Sequence, residues 1–394
     1  MNIDFSQHIK SFIYKIIQDI EFHPEKYQIQ FQKIISKSEQ KEISKLIAHY
    51  TSSIVYNPSN ASAYYNRGLM YHKKSSYKKA VEDFSKAIEL DKNFTFAYIA
   101  RGETYSILKE FDLANADLTK ANELNPQNSS IYTSLGNLNR IQNDFQKAIE
   151  NYNKAINLNE SNESAFYGRA MAYRSLFNYK KAKDDFNKAV ELNPSDNYAF
   201  SNRAVNYSNM DDIDNAIDDF NKALELNPQD VFALNGRGVV YRKRLEEELA
   251  EKDFKSAIEL MPEDAYAYYN LANLYREHGD DAKALKLYSQ AIEINYLFPL
   301  SYIARAGMYI LQNNIKKATE DIFQVMDIIP NGFIAHILDG FIKFIQENYD
   351  GAFLSFKKSV ALNTAEMPEI VYACGICFFS KSNMPRPKNI WIRL

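Results

Sequence analysis

Residues 197–230 read NYAFSNRAVNYSNMDDIDNAIDDFNKALELNPQD, and the skeleton of this stretch returns each time the chain is shifted by 34 residues. Stepping outward from its Ala216 meets Ala80, Ala114, Ala148, Ala182, Ala250, Ala284, Ala318 and Ala352, one alanine column through nine copies with no insertion or deletion. Twelve residues earlier runs a second column, Gly68, Gly102, Gly136, Ala170, Ala204, Gly238, Ala272, Ala306 and Gly340. Most of these small residues have an aromatic three places later, as at Tyr71, Tyr105, Tyr173 and Tyr207, and another four places earlier, as at Tyr64, Tyr98, Tyr132 and Phe166. Apolar positions at such spacings predict an amphipathic helix. A second helix follows, carrying the alanine column, then Phe84, Phe186, Phe220 or Phe254, then Ala87, Ala121, Ala155 or Ala223. Asn125-Pro126, Asn193-Pro194 and Asn227-Pro228 end it, because the residue before a proline avoids helical backbone. Small residues at fixed places mark close helix crossings, with a large aromatic filling the gap beside them. A bulky side chain at Gly238 or Ala216 then costs about 1–3 kcal/mol of overpacking.

This pattern resembles the tetratricopeptide repeat, a helix–turn–helix unit with small, aromatic, alanine and terminal proline positions. The resemblance covers residues 61–364 as nine tandem units (61–94, 95–128, 129–162, 163–196, 197–230, 231–264, 265–298, 299–332 and 333–366), with half a unit, Glu366–Phe379, after them. It implies an all-α fold, a right-handed superhelical solenoid of antiparallel helix pairs. Tyrosine or phenylalanine replaces the family's frequent tryptophan. Asn139 and Lys343 interrupt the tyrosine column, and Val325 and Ser359 the later alanine column. Residues 1–60 read as an N-terminal helical cap with a degenerate repeat, since the end of a repeat stack must hide an apolar face that has no neighbour. Ile9, Phe12, Ile13, Ile16, Ile17 and Ile20 form one stripe, Pro24 opens a second helix, and Ser38–Tyr56 resembles a decayed second helix with Leu46, Tyr50 and Ile54 inward. A dedicated binding helix is the other reading of this region. Residues 367–394 hold a partial repeat helix and a basic tail, SKSNMPRPKNIWIRL.

A net charge of −3 offers no basic excess for nucleic acid, and RNA-binding helical repeats have units of another length. No uncharged apolar run approaches the roughly 20 residues of a membrane helix. Asp4, Lys10, Lys15 and Asp19 break up the first apolar stretch, so a signal peptide is not expected and a cytoplasmic setting is, with cytoskeletal or ciliary structures included. Cys374-Gly375-Ile376-Cys377 has the spacing of a redox pair or half a zinc site. Repeat phase instead puts Cys374 in the small column and Cys377 in the tyrosine column of a helix, and zinc would need two ligands that no other cysteine supplies. His8, His23, His49, His72, His278 and His336 show no metal-ligand spacing, and neither a nucleophile elbow nor a phosphate loop occurs. The expectation is no enzyme, no cofactor and no metal.

What remains is the surface that the resemblance assigns to partners: the first helix of each unit lines a concave groove. One turn beyond the small column stand His72, Arg140, Arg174, Arg242 and Arg276, with Lys73 and Lys243 beside them. Aromatics on the same helices are Tyr65, Phe96, Tyr167, Tyr198, Phe232, Tyr266 and Tyr269. Arginines backed by aromatics suit carboxylate-bearing peptide segments, extended or helical. A competing reading is that these arginines only bridge to acids of the neighbouring unit, such as Asp117, Asp185, Asp219 or Asp253. The family's chaperone-tail binders use a lysine and asparagine clamp. Asn137 and Asn273 fit its asparagine places, but tyrosine, isoleucine, threonine and asparagine stand where its first lysine belongs. The asparagine ladder of the sugar-transferring enzymes is matched at Asn66, Asn202 and Asn270 and missed at Ala100, Ser134, Gly168 and Gly236. From Phe323 onward the helices become apolar on most sides. Either the tail, with the lone Trp391, folds over Phe333, Ile337, Phe341 and Phe344, or this end docks onto a partner or a second copy. The expected role is a non-catalytic protein–protein interaction scaffold or adaptor for proteins or peptide segments, acidic ones included, with no nucleic acid and no membrane insertion. The alternatives are a permanent structural subunit of a ciliary, transport or cytoskeletal assembly, and a regulatory partner of a separate enzyme.

Overall fold

The computed structural model describes residues 37–362. The decisive stretch forms two helices, Asn197–Asn209 and Ile213–Leu226, of 13 and 14 residues. The same bounds recur every 34 residues from Ala61–Lys73 and Tyr77–Leu90 to Phe333–Ile345 and Tyr349–Leu362, nine pairs with no strand among the described residues. A longer helix, Lys37–Tyr56, precedes them; it buries Ile43 and Ile54 and half-buries Leu46 and Tyr50.

Local chemistry draws these boundaries. Asn60, Asn128, Asn162, Asp196, Asp230 and Asp264 each accept a backbone N–H of the first turn they precede, supplying the partner that a helix start lacks. All but Asn162 stand two residues after a proline, so one short segment stops a helix and starts the next. Inside each pair, three residues join the helices and the middle one has positive φ, from 57° at Ser75 and Phe177 to 62° at Lys109 and Asn143. Only Gly279, at 77°, takes this conformation without strain; an L side chain there costs about 1–2 kcal/mol.

Packing follows the small columns. Ala216, Phe220 and Ala223 are fully buried, as are their counterparts Ala182, Phe186 and Ala189. A Cβ added at Gly68 would lie 2.7 Å from the Phe84 ring, and one at Gly238 2.6 Å from Phe254. The glycines are therefore the slots into which the second-helix aromatics fit.

The described helices fall into two compact units, residues 37–227 and residues 228–362. In each, a helix packs most extensively on its hairpin partner and next on the following pair. Successive first helices touch more than successive second helices do, so each stack curves with the first helices inside. The second unit is the more apolar. There Ile337 (0% exposed) and Phe341 (5%) belong to one core with Tyr288, Leu300 and Phe356, and Phe333 and Phe344 pack against it. The expected docking role of Ile337 and Phe341 is corrected here: their apolar character serves the interior. Apolar side chains that do reach the surface in this unit include Phe323 (56%) and Leu354 (65%) on second helices, and Leu245, Tyr296 and Leu297 between helices. Trp391, Cys374, Cys377, the half-unit Glu366–Phe379 and the stripe Ile9–Ile20 lie outside the described residues.

Candidate binding face of the first helices

Two rows of arginine run along the first helices, and they have different jobs. The residue just before the small column is arginine at 67, 101, 169, 203, 237 and 305, and each forks onto the aspartate 16 residues later. In the central copy, Arg203 Nε and Nη2 donate to Asp219 Oδ2 and Oδ1, both at 2.7 Å. The remaining Nη1 reaches back to the preceding pair's second helix, to Asn187 at 3.0 Å, and Arg101 and Arg169 do the same to Ser85 at 3.0 Å and Asn153 at 2.6 Å. Even the unpaired Lys37–Tyr56 helix takes part, Thr51 accepting from Arg67 at 3.3 Å. The two aromatic columns flank this guanidinium, Phe200 and Tyr207 holding Arg203 at 5.4 and 5.8 Å from the ring centres. Arg67, Arg101, Arg169, Arg203 and Arg305 thus each tie three helices together through the three nitrogens of one planar guanidinium. At Asp339 the sign reverses, and Lys343 donates to it at 2.7 Å. The acids Asp117, Asp185, Asp219 and Asp253 are consequently held by Arg101, Arg169, Arg203 and Arg237, not by the inner-face arginines expected to bridge to them. The sequence reading passed over this clamp, whose signal is an arginine and an aspartate column in constant phase.

The inner face is different. Arg174 donates from Nη1 and Nη2 to the Asn202 carbonyl and Oδ1, each at 3.1 Å, and lies 5.9 Å from the Phe186 ring centre. Arg140 is half-buried near Tyr152 and Tyr167, and its Nε has no hydrogen-bond partner among the described residues. His72 sits edge-on to Tyr77 at 5.4 Å, and burial pushes its imidazole below the usual 6.5, so it is neutral at pH 7 and adds no cation to the row. Tyr65 leans on Phe84 and Phe94, and Tyr167 stands edge-on to Phe186. Burial raises both phenols. Phe96 is 55% exposed, Tyr198 and Lys243 are half-buried, and Lys73 is exposed.

In residues 228–362 the expected site closes up. Arg242 and Arg276 are each 3% exposed, both 3.8 Å from Glu277, and Tyr269 is a core ring between Tyr288 and Phe298. Phe232 is half-buried at its helix start, as is Tyr266. Among these positions none forms an open patch comparable to that around Phe96.

Asn137 and Asn273 are corrected by their partners. The Tyr152 hydroxyl donates to Asn137 Oδ1 at 2.7 Å, and that of Tyr288 to Asn273 Oδ1. These two tyrosines replace the phenylalanines of Phe84 and Phe220, and a buried hydroxyl needs an acceptor. The asparagines stand 15 residues earlier, where only these two copies need them. Their carboxamide oxygens thus have partners within their own hairpins.

Among the described residues no group of three or more His, Cys, Asp or Glu is placed to hold a metal ion, and no helix is long and apolar enough to cross a membrane. The Glu247, Glu251, Tyr275 and His278 side chains bond one another in pairs beside a cavity of about 370 Å³, with Tyr275 donating to Glu251 at 2.6 Å.

Sequence profiles of the tetratricopeptide repeat match residues 61–94, 97–128, 164–196, 198–230 and 265–297, and a TPR-repeat profile matches 136–176. A sequence search of curated proteins finds no match. Among solved structures, yeast Tom70 superposes with a TM-score of 0.55 at 17% identity, covering 97% of either chain. The APC/C hetero-tetramer Cut9-Hcn1 gives 0.57 at 17%, covering 81% of this chain and 62% of that one. A monomeric IFIT1 mutant gives 0.57 at 14%, covering 87% and 88%. At these identities the likeness speaks for the fold alone. With the clamp, the glycine slots and the profiles in agreement, the chain belongs to the tetratricopeptide repeat family.

Proposed function

We propose that this chain is a non-catalytic scaffold or adaptor that binds segments of partner proteins along the inner face of its first helices, within residues 61–227, and gathers them into a multiprotein assembly. The observation that carries the reading is Arg140. The fold's own clamp leaves it unused, its Nε lacks a hydrogen-bond partner among the described residues, and the phenol groups of Tyr152, to which it hydrogen-bonds, and of Tyr167 lie close to it. A guanidinium in that setting favours a carboxylate, which it can grip with two parallel bonds. Exposed Phe96 and half-buried Tyr65 and Tyr198 supply apolar contact on the same face. A cytoplasmic setting, cytoskeletal or ciliary ones included, belongs to the same proposal.

The test is affinity capture with the tagged full chain and with an Arg140→Glu/Arg174→Glu variant, the bound proteins identified by mass spectrometry and helicity followed by circular dichroism. Unchanged helicity with loss of a defined set of partners supports the reading. An identical bound set in both samples overturns it. A permanent structural subunit is the second reading, favoured by the exposure of Phe323 (56%) and Leu354 (65%) on second helices. Its mark is a chain that aggregates when made alone and is rescued by co-expression with a partner.

A further inference from the structure

We propose, resting on the groove reading above, that the inner face of residues 61–174 takes an extended partner segment of mixed charge, its Lys or Arg set against Glu103 and its Asp or Glu against Arg140 and Arg174. Glu103 lies on the Thr95–Ile107 helix, between Tyr65 of the preceding first helix and Ser134 of the following one. Ser134 Oγ is 2.6 Å from Glu103 Oε1 and 3.0 Å from the Ser130 carbonyl. A hydroxyl has one proton, so it cannot donate to both acceptors at once. Unlike the clamp aspartates, each held by an arginine fork, this carboxyl makes no ion pair among the described residues and has Ser134 as its side-chain hydrogen-bond partner. Burial holds it above the usual carboxylate range, a penalty that an incoming cation relieves.

The opposite sign follows along the same seam. Arg140 brings its orphan Nε one pair later, and Arg174 stands one pair beyond, steadied by Asn202. Packed helix axes lie about 8–10 Å apart. An extended chain advances about 3.3 Å per residue, so each pair takes roughly three residues of ligand. The matching pattern is therefore one basic residue with acidic residues about three and six places away. Phe96, two turns from Glu103 and 55% exposed, offers an apolar bed for the stem of a lysine or arginine.

Fluorescence anisotropy on the full chain tests this with labelled synthetic peptides of about a dozen residues. One peptide carries a lysine and two aspartates at the spacing above; in the other the lysine is aspartate. The expected result is binding of the mixed-charge peptide at least about tenfold tighter than the all-acidic one. Glu103→Gln, matched in helicity by circular dichroism, should bring the two affinities together, chiefly by improving the acidic peptide. Equal or tighter binding of the all-acidic peptide by the native chain overturns the mixed-charge inference and leaves the groove reading standing. A preference that survives Glu103→Gln overturns it too. Binding of neither peptide removes the groove reading and this inference with it.

Discussion

Arg169 and Arg174 belong to one helix, Glu163–Ser175, yet they live in different chemical worlds. Arg169 points toward its hairpin partner, forked onto Asp185 at 2.7 Å through both nitrogens and tied to Asn153 of the previous pair. Arg174 points along the inner seam, where it meets a backbone carbonyl and a carboxamide, and the first helices curve toward one another. The lesson is that an arginine column is not in itself a binding row. Arg169 has its fork filled by a carboxylate of its own hairpin, whereas Arg174 reaches an asparagine on the next first helix, and that depends on which side of the helix each residue faces.

The sharpest way to break this comparison is to remove the acids from one side only. Asp219→Ala leaves Arg203 buried without its fork partner and should cost about 3 kcal/mol, seen as a clear fall in the thermal midpoint. Arg174→Ala gives up the bonds to the Asn202 carbonyl and carboxamide and should cost about 1 kcal/mol or less. Equal losses would mean that the two rows are not distinct. Next in size, Gly238→Val drives a side chain into the Phe254 ring and should cost about 2 kcal/mol, while peptide affinity per folded molecule stays the same.

Smaller effects sharpen the picture. Tyr152→Phe strands the Asn137 carbonyl oxygen and should lower stability by about 1 kcal/mol, read as a fall in the thermal midpoint. Leu245→Gly should stabilise by about 1 kcal/mol, because its φ of 61° suits glycine and its side chain is 80% exposed; denaturant unfolding of the two proteins checks the sign. The smallest effect is a pH dependence at His72. Its folded pKa is depressed by burial, so the unfolded chain takes up the proton first as pH falls through 6.5, and stability declines on acidification. His72→Gln should flatten the thermal midpoint between about pH 7 and 5.5 relative to the native chain.

Reading the chain as a string of letters went furthest where one column meant one backbone requirement. Asn193-Pro194 and Asn227-Pro228 had to stop a helix, Gly68 and Gly238 had to let an aromatic through, and alanines had to sit at the crossings. The inner face was less legible. Asn137 looked like a ligand clamp because its partner, Tyr152, is a neighbour only after the hairpin closes. Arg242 and Arg276 looked like counterparts of Arg140, yet they are buried at 3% exposure in the apolar second unit, beside Glu277. Glu103 drew no notice at all, since nothing in its spacing marks it and its interest lies in Ser134 on the next helix.

By itself, then, the order of residues determined a helix pair every 34 positions and the family to which the chain belongs. Periodicity, caps and steric slots are local demands, and a local demand repeated nine times leaves little room for another fold. Which arginines are spent on the framework and which face outward was decided only by tertiary structure. A guanidinium is committed by the acids brought within about 3 Å of it, and those come from residues distant in the chain that stacking places side by side.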